Sequence, residues 1–155
     1  MVARFSRHVL TLRGREDAFT ETSCLLTEKD GQVVDFDALA AELRGLRDSV
    51  AGVTDTVVAA VDGICIFADA DESIDPAKIS ALAAADLGIA RQASELAGQG
   101  SLNQTVVFSS DGYLAVYAIG RIALLVVLGD KGLNVGRLLF ETRPVIDRIA
   151  KILTA

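Results

Sequence analysis

Tryptophan is absent from the chain, and aromatics make up only 5% of its 155 residues, so its core must be built from Ala, Leu, Val and Ile. Histidine occurs once, at His8, and cysteine twice, at Cys24 and Cys65. These three side chains cannot assemble a structural zinc site. A single His in the N-terminal stretch also gives no support to a Ser/His or Cys/His relay. The two cysteines, one inside the apolar run Gly63-Ile64-Cys65-Ile66-Phe67, read as a reducing, cytoplasmic setting more than as a disulfide scaffold. The longest uninterrupted apolar run, Ile122 to Leu128, has seven residues, far fewer than the ~20 of a membrane-spanning helix. Met1 to Arg15 carries four Arg and no acid, without the apolar core of a secretory signal. Positive charge is scarce overall: 15 Lys and Arg stand against 21 Asp and Glu, a net charge of −6. That balance argues against a nucleic-acid groove and against insertion into, or attraction to, an anionic membrane, since both surfaces select clustered cations.

What is present suits one compact domain: 51% hydrophobic and 23% charged residues, near the globular average. Residues 1–35 read as an N-terminal arm, either partly ordered or carrying a hairpin that turns at Asp30-Gly31. From Phe36 the periodicity sharpens. Leu39, Leu43, Leu46 and Val50 mark one face of a helix, with Asp35 or Asp37 as its cap and Gly52 at its exit. Strands at Thr56 to Val61 and Ile64 to Ala68 are joined through Asp62-Gly63, read as a two-residue turn. Asp75-Pro76 opens a second helix that runs to about Ala97. Three strands follow, Gln104 to Ser109, Tyr113 to Ile119 and Ile122 to Leu128, the last apolar throughout as a strand covered on both faces must be. Asn134 caps a final helix with Val135, Leu138, Leu139, Val145, Ile146, Ile149 and Leu153 as its stripe and Pro144 on its opposite side. Residues 36–155 thus have the order α-β-β-α-β-β-β-α. The tight strand links make the sheet antiparallel, and the fold is a three-layer α/β (α+β) sandwich around five strands.

None of the chemistry-bearing patterns survives scrutiny. Asp69, Asp71, Glu72 and Asp75 fall in one stretch and read as a solvated acidic loop without the glycine and closing glutamate of a calcium loop. Gly129-Asp130-Lys131-Gly132 lacks the phosphate-loop pattern and reads as a plain turn. No catalytic, cofactor-binding or metal-ligating residues are expected, and the chain is not read as an enzyme.

The second helix carries more apolar surface than one sheet face needs. On a helical wheel Leu96, Ile89, Leu82, Ala93, Ile79, Ala97, Ala90, Ala83 and Leu87 sweep about half of the circumference, against the ~100° that covers a sheet. The surplus implies a second copy of the chain. It places Ala83, Asp86, Leu87, Ala90 and Ser94, with Val106 and Phe108 of the Gln104 strand, at a two-fold interface. Ser80, Ala84, Arg91 and Glu95 occupy the polar side of the same helix as a partner platform. Phe140, on a mostly charged face of the last helix, is a further candidate contact.

The same order and residues resemble the Roadblock/LC7 family, particularly its bacterial branch. The resemblance rests on Leu43-Arg44 through Val53, the Asp62-Gly63 turn, Ile79-Ser80-Ala81-Leu82, Gly112-Tyr113-Leu114 with Val116, and Gly120 through Leu128. Leu133-Asn134-Val135-Gly136-Arg137-Leu138, followed by Glu141, Arg143, Arg148 and Ile149, completes it over about residues 36–154. It implies a profilin-like sandwich that dimerises and docks a small Ras-like GTPase. In actinobacterial members it also implies association with a sensor kinase. Two other readings stand beside it: a ligand-sensing module of the PAS or GAF kind, and a structural oligomer without a GTPase partner.

Overall fold

The computed structural model describes residues 34–155 and, ahead of them, the backbone of two strands, β1 (Leu10–Thr11) and β2 (Phe19–Ser23). The hairpin expected at Asp30-Gly31 lies outside the described residues. Then follow α1 (Phe36–Ser49), β3 (Val53–Ala60), β4 (Cys65–Asp71), α2 (Pro76–Leu96), β5 (Gln104–Phe108), β6 (Gly112–Ile119), β7 (Ala123–Asp130) and α3 (Val135–Thr154). The order from α1 onward is the expected one.

The helix starts are set by short polar side chains that take up N–H groups left free in a first turn. Asp35 Oδ1 accepts from the Ala38 amide at 2.9 Å, Asp75 Oδ1 from Ala77 and Lys78 at 3.1 and 3.2 Å, and Asn134 Oδ1 from Arg137 at 2.9 Å. The expected five-stranded antiparallel sheet is present in the order β4-β3-β7-β6-β5, and β2 and then β1 extend it beyond β4.

Leu39, Leu43 and Leu46 of α1 and Leu138, Val145 and Ile149 of α3 form one core with Val58, Phe67, Tyr117, Leu125 and Val127. Ala83 and Leu87 of α2 form another with Val57, Ala59, Ala68, Val116, Leu124 and Val126. Alternate residues of the same strands therefore feed opposite layers, with α1 and α3 on one face and α2 on the other. β7 lies under both, which is why Ala123 to Val127 are all buried. Ile122, expected in that strand, sits in the preceding turn and is half exposed.

One turn differs from its sequence reading. The β3–β4 link closes over three residues, Val61 to Gly63, because the Gly63 amide donates to Ala60 O while the Ala60 amide donates to Ile64 O. Gly63 takes φ +85°, and a Cβ there would stand 2.9 Å from Ala81 Cα of α2. Gly52, at φ +91°, is tighter still, for a Cβ would stand 2.6 Å from both Leu133 Cα and Leu133 N. Rigid backbone is in the way. Gly52→Ala is therefore expected to cost about 2–3 kcal/mol and to lower the melting temperature by about 5–10 °C, read by circular dichroism.

Asp69 is not part of a solvated loop. It lies in β4 at 1% exposure, with Arg47 Nη1 of α1 at 3.0 Å from each of its oxygens. Burial raises its pKa above the ordinary carboxylate value, and Arg47 opposes that rise. Beside it Asp55 Oδ1 accepts from the Asp71 amide at 2.8 Å. Cys65, expected as a buried thiol, is disulfide-bonded. The cysteine argument for a reducing compartment falls with it.

Candidate functional site

α2 is pinned at both flanks. On one side the hairpin tip at Gly63 packs against Ala81 and Ala84. On the other the Thr105 hydroxyl of β5 donates to Asp86 Oδ2. Between these flanks only Ser80, Ala83 and Leu87 are buried, and no residue of the helix beyond Leu87 is. β5 ends the sheet, so the last turns of α2 have no strand left to cover.

The surplus apolar arc is real and lies at the surface. Leu82 is 67% exposed, Ile89 70% and Leu96 91%. Successive members are seven residues apart, so on a helix of 3.6 residues per turn they form one nearly straight line. Ala85, Ala93 and Ala97, all exposed, flank that line with small side chains. The arrangement suits close approach of a second helix.

The individual residues assigned from the wheel are distributed differently. Ala83 and Leu87 are spent on the protein's own sheet, and Asp86 is held by Thr105. Ala90 and Ser94 are half-buried, with the Ser94 hydroxyl donating to Gly100 O at 3.1 Å. Ser80 is fully buried and cannot belong to a surface platform. Its hydroxyl donates to Pro76 O at 2.6 Å, which satisfies the polar group within the helix and lets serine pack like alanine. That inward turn rotates the buried face away from the position the apolar residues alone suggest. Ala84 is half-buried beneath the hairpin tip, Arg91 is half-buried, and Glu95 is exposed.

On β5 the alternation divides the side chains between the two faces of the sheet. Val106 and Phe108 lie opposite Ala115 and Tyr113, on the face of α1 and α3. Phe108 meets Tyr113 edge-on at 5.3 Å between ring centroids. The β5 residues that share the α2 face are Thr105, opposite Val116, and Val107, opposite Leu114. Val107 is 42% exposed and was missed by sequence reasoning, although strict alternation from Thr105 marks it. Phe140, 74% exposed on α3, belongs to the other side of the sheet. The structure thus does not bring Ser80, Ala84, Arg91, Glu95 and Phe140 into one surface.

Among the described residues no cluster of three or more His, Cys, Asp or Glu is placed to hold a metal ion, and no helix is long and apolar enough to cross a membrane. What α2 and β5 offer is a line of apolar side chains beside an open strand edge.

Comparison with known proteins agrees with this architecture. The family model described as the Roadblock/LC7 domain matches residues 39–129. An uncharacterized protein of Methanocaldococcus jannaschii is 29% identical over 98 residues, which is 63% of this chain and 85% of that protein. The Roadblock/LC7 domain from Streptomyces avermitilis superposes with a TM-score of 0.66 at 23% identity, over 74% of this chain and 97% of that one. MglB of Myxococcus xanthus superposes with a TM-score of 0.72 at 18% identity, over 84% and 95%. At these identities the superpositions establish the fold.

Proposed function

Because the chain belongs to the Roadblock/LC7 domain family, we propose that it works as a non-enzymatic homodimeric adaptor that docks a small Ras-like GTPase. The observation that carries this reading is the exposed line Leu82, Ile89 and Leu96 next to the open edge of β5. In a two-fold pair α2 packs on α2 through that line, and β5 runs along β5. Each apolar side chain so covered contributes roughly 1.5–3 kcal/mol, and the pairing removes a strand edge that otherwise invites aggregation.

With the line used for self-association, Arg91 and Glu95 remain on the flank of α2 away from the axis, and Ala81, Ala85 and Gln92 lie between. Two such helices side by side make a composite platform wide enough to seat one GTPase across the axis. Arg91 has no ion-pair partner among the described residues, so a carboxylate of the GTPase can claim it. A half-buried arginine on a helix reaches poorly into a nucleotide pocket. Any effect on hydrolysis therefore comes from repositioning the GTPase's own residues.

The test is titration of the cognate GTPase, loaded with GDP or a non-hydrolysable GTP analogue, against Arg91→Ala and Glu95→Arg. Each substitution is expected to weaken binding by about tenfold, mostly through a faster off-rate. Binding unchanged in both would take the docking site off α2. Turnover measured alongside is expected to fall in proportion to occupancy. A fall of more than ~10³-fold with Arg91→Ala at full occupancy would instead make Arg91 an inserted finger.

A further inference from the structure

We infer a second docking surface, on the outer face of α3, that receives an acidic segment of a partner protein carrying two apolar anchors. It lies across the sheet from α2 and does not depend on the platform described above. In a chain of net charge −6, α3 runs the other way. It holds Arg137, Arg143, Arg148 and Lys151 against Glu141 and Asp147.

Two of these cations are occupied. Arg148 Nε lies 2.8 Å from both oxygens of Glu42 on α1, and Arg137 stands 3.8 Å from Glu141. Arg143 and Lys151, with Arg121 in the β6–β7 turn, make no ion pair among the described residues, and all three are exposed. Phe140, Arg143 and Lys151 share the side of α3 opposite the buried Leu138, Val145 and Ile149. A phenyl ring 74% exposed on that side is an anchor without an occupant. Pro144, on the same side, cannot donate to the Phe140 carbonyl.

About 17 Å further along the helix, at ~1.5 Å per residue, lies an open surface depression of about 510 Å³. Ile119, Ile122 and Ala150 provide its apolar lining, and Arg121 and Lys151, with Asp147 between, its charged groups. An aromatic post and an apolar pocket with cations beside and between them match a segment with one apolar residue near each end and carboxylates in the middle. Charge complementarity decides the occupant. Asp147 stands among the cations, so a dense row of phosphates is disfavoured, whereas a few carboxylates can sit against Arg143, Lys151 and Arg121 individually.

The test uses the full chain and a labelled synthetic helical peptide with two leucines eleven residues apart and glutamates between them, followed by fluorescence anisotropy. Its lysine-for-glutamate counterpart and phosphatidylserine vesicles are run in parallel. The acidic peptide is expected to bind below about 100 μM and to weaken when salt is raised to about 0.5 M. Arg143→Glu combined with Lys151→Glu is expected to weaken it by about tenfold or more, and Phe140→Ala by about fivefold. These residues are exposed, so the variants retain the wild-type melting curve. No binding of the acidic peptide, equal binding of both peptides, or indifference to the double charge reversal would each overturn the inference. So would vesicle binding that the same double variant abolishes, which assigns the patch to a lipid surface.

Discussion

Ile89→Glu is expected to leave the protein folded and monomeric. Ile89 is the middle member of the exposed line on α2 and is 70% exposed in the single chain, so a carboxylate there is harmless to the fold. In a pair of α2 helices it would be driven into an apolar seam next to its own symmetry mate. Desolvation and like-charge repulsion then add up to several kcal/mol, and the dissociation constant should rise by a factor of about 10³ or more. Sedimentation across a micromolar range reads the outcome, with thermal unfolding as the control for the fold. A wild-type chain that sediments as a monomer throughout would remove the basis of the dimeric reading. Ala83→Glu supplies the contrast. Ala83 is buried against the sheet, so that variant should fail by unfolding.

Arg47→Ala should be the most destabilising single change outside the apolar core. It leaves the Asp69 carboxylate buried at 1% exposure without the cation that stands 3.0 Å from its oxygens. Breaking a pair of this kind costs about 3–5 kcal/mol, and the 21% exposure of Arg47 puts the expectation at the lower end, about 3 kcal/mol. The penalty should depend on pH with a definite sign. Burial already holds the Asp69 pKa above its ordinary value in the folded chain, so the folded state binds this proton more readily than the unfolded state. The stability that Asp69 contributes therefore declines as pH rises through that window, and it recovers as pH falls toward the unfolded carboxylate value. Removing Arg47 lifts the pKa further and widens the window. Urea titrations at about pH 5 and pH 7.5 should show a smaller penalty at the lower pH. An equal penalty at both would mean that Asp69 does not carry the charge assigned to it.

Local rules made much of the fold legible. Asp35, Asp75 and Asn134 act as caps where a short polar side chain precedes an apolar period. The all-apolar run after Gly120 could only be a strand covered twice. Non-local facts were harder to read. Nothing in the neighbourhood of Asp69 announces that Arg47, on another element, will meet it beneath α1. The two strands contributed by the first 35 residues carry no clean alternation, since Phe19-Thr20-Glu21-Thr22-Ser23 mixes one aromatic with four polar residues.

At the candidate site the excess of apolar surface on α2 was visible because one sheet face cannot absorb it. Its direction was not. Ser80 counts as polar on a wheel but is the most buried residue of the helix, and that one hydroxyl, satisfied locally, moves the solvent-facing line toward Leu82, Ile89 and Leu96. On β5 strict alternation from Thr105 adds Val107 on the α2 face to Val106 and Phe108 on the other.

The pairing of β2 with β4 bears on how far assembly can go. Recruitment of another molecule by strand addition needs a long bare edge, and the sheet has one at β5. Among the described residues its opposite border is stepped: β1, only two residues long, covers Thr22 and Ser23 of β2 and leaves Phe19 to Glu21 as a margin too short to template a neighbour. The described strands therefore offer one edge long enough for strand addition, a valency of one. Joining two molecules exhausts it and yields a finite particle, whereas a chain deprived of its first 23 residues would present β4 bare as well, acquire a valency of two, and be able to grow into fibres.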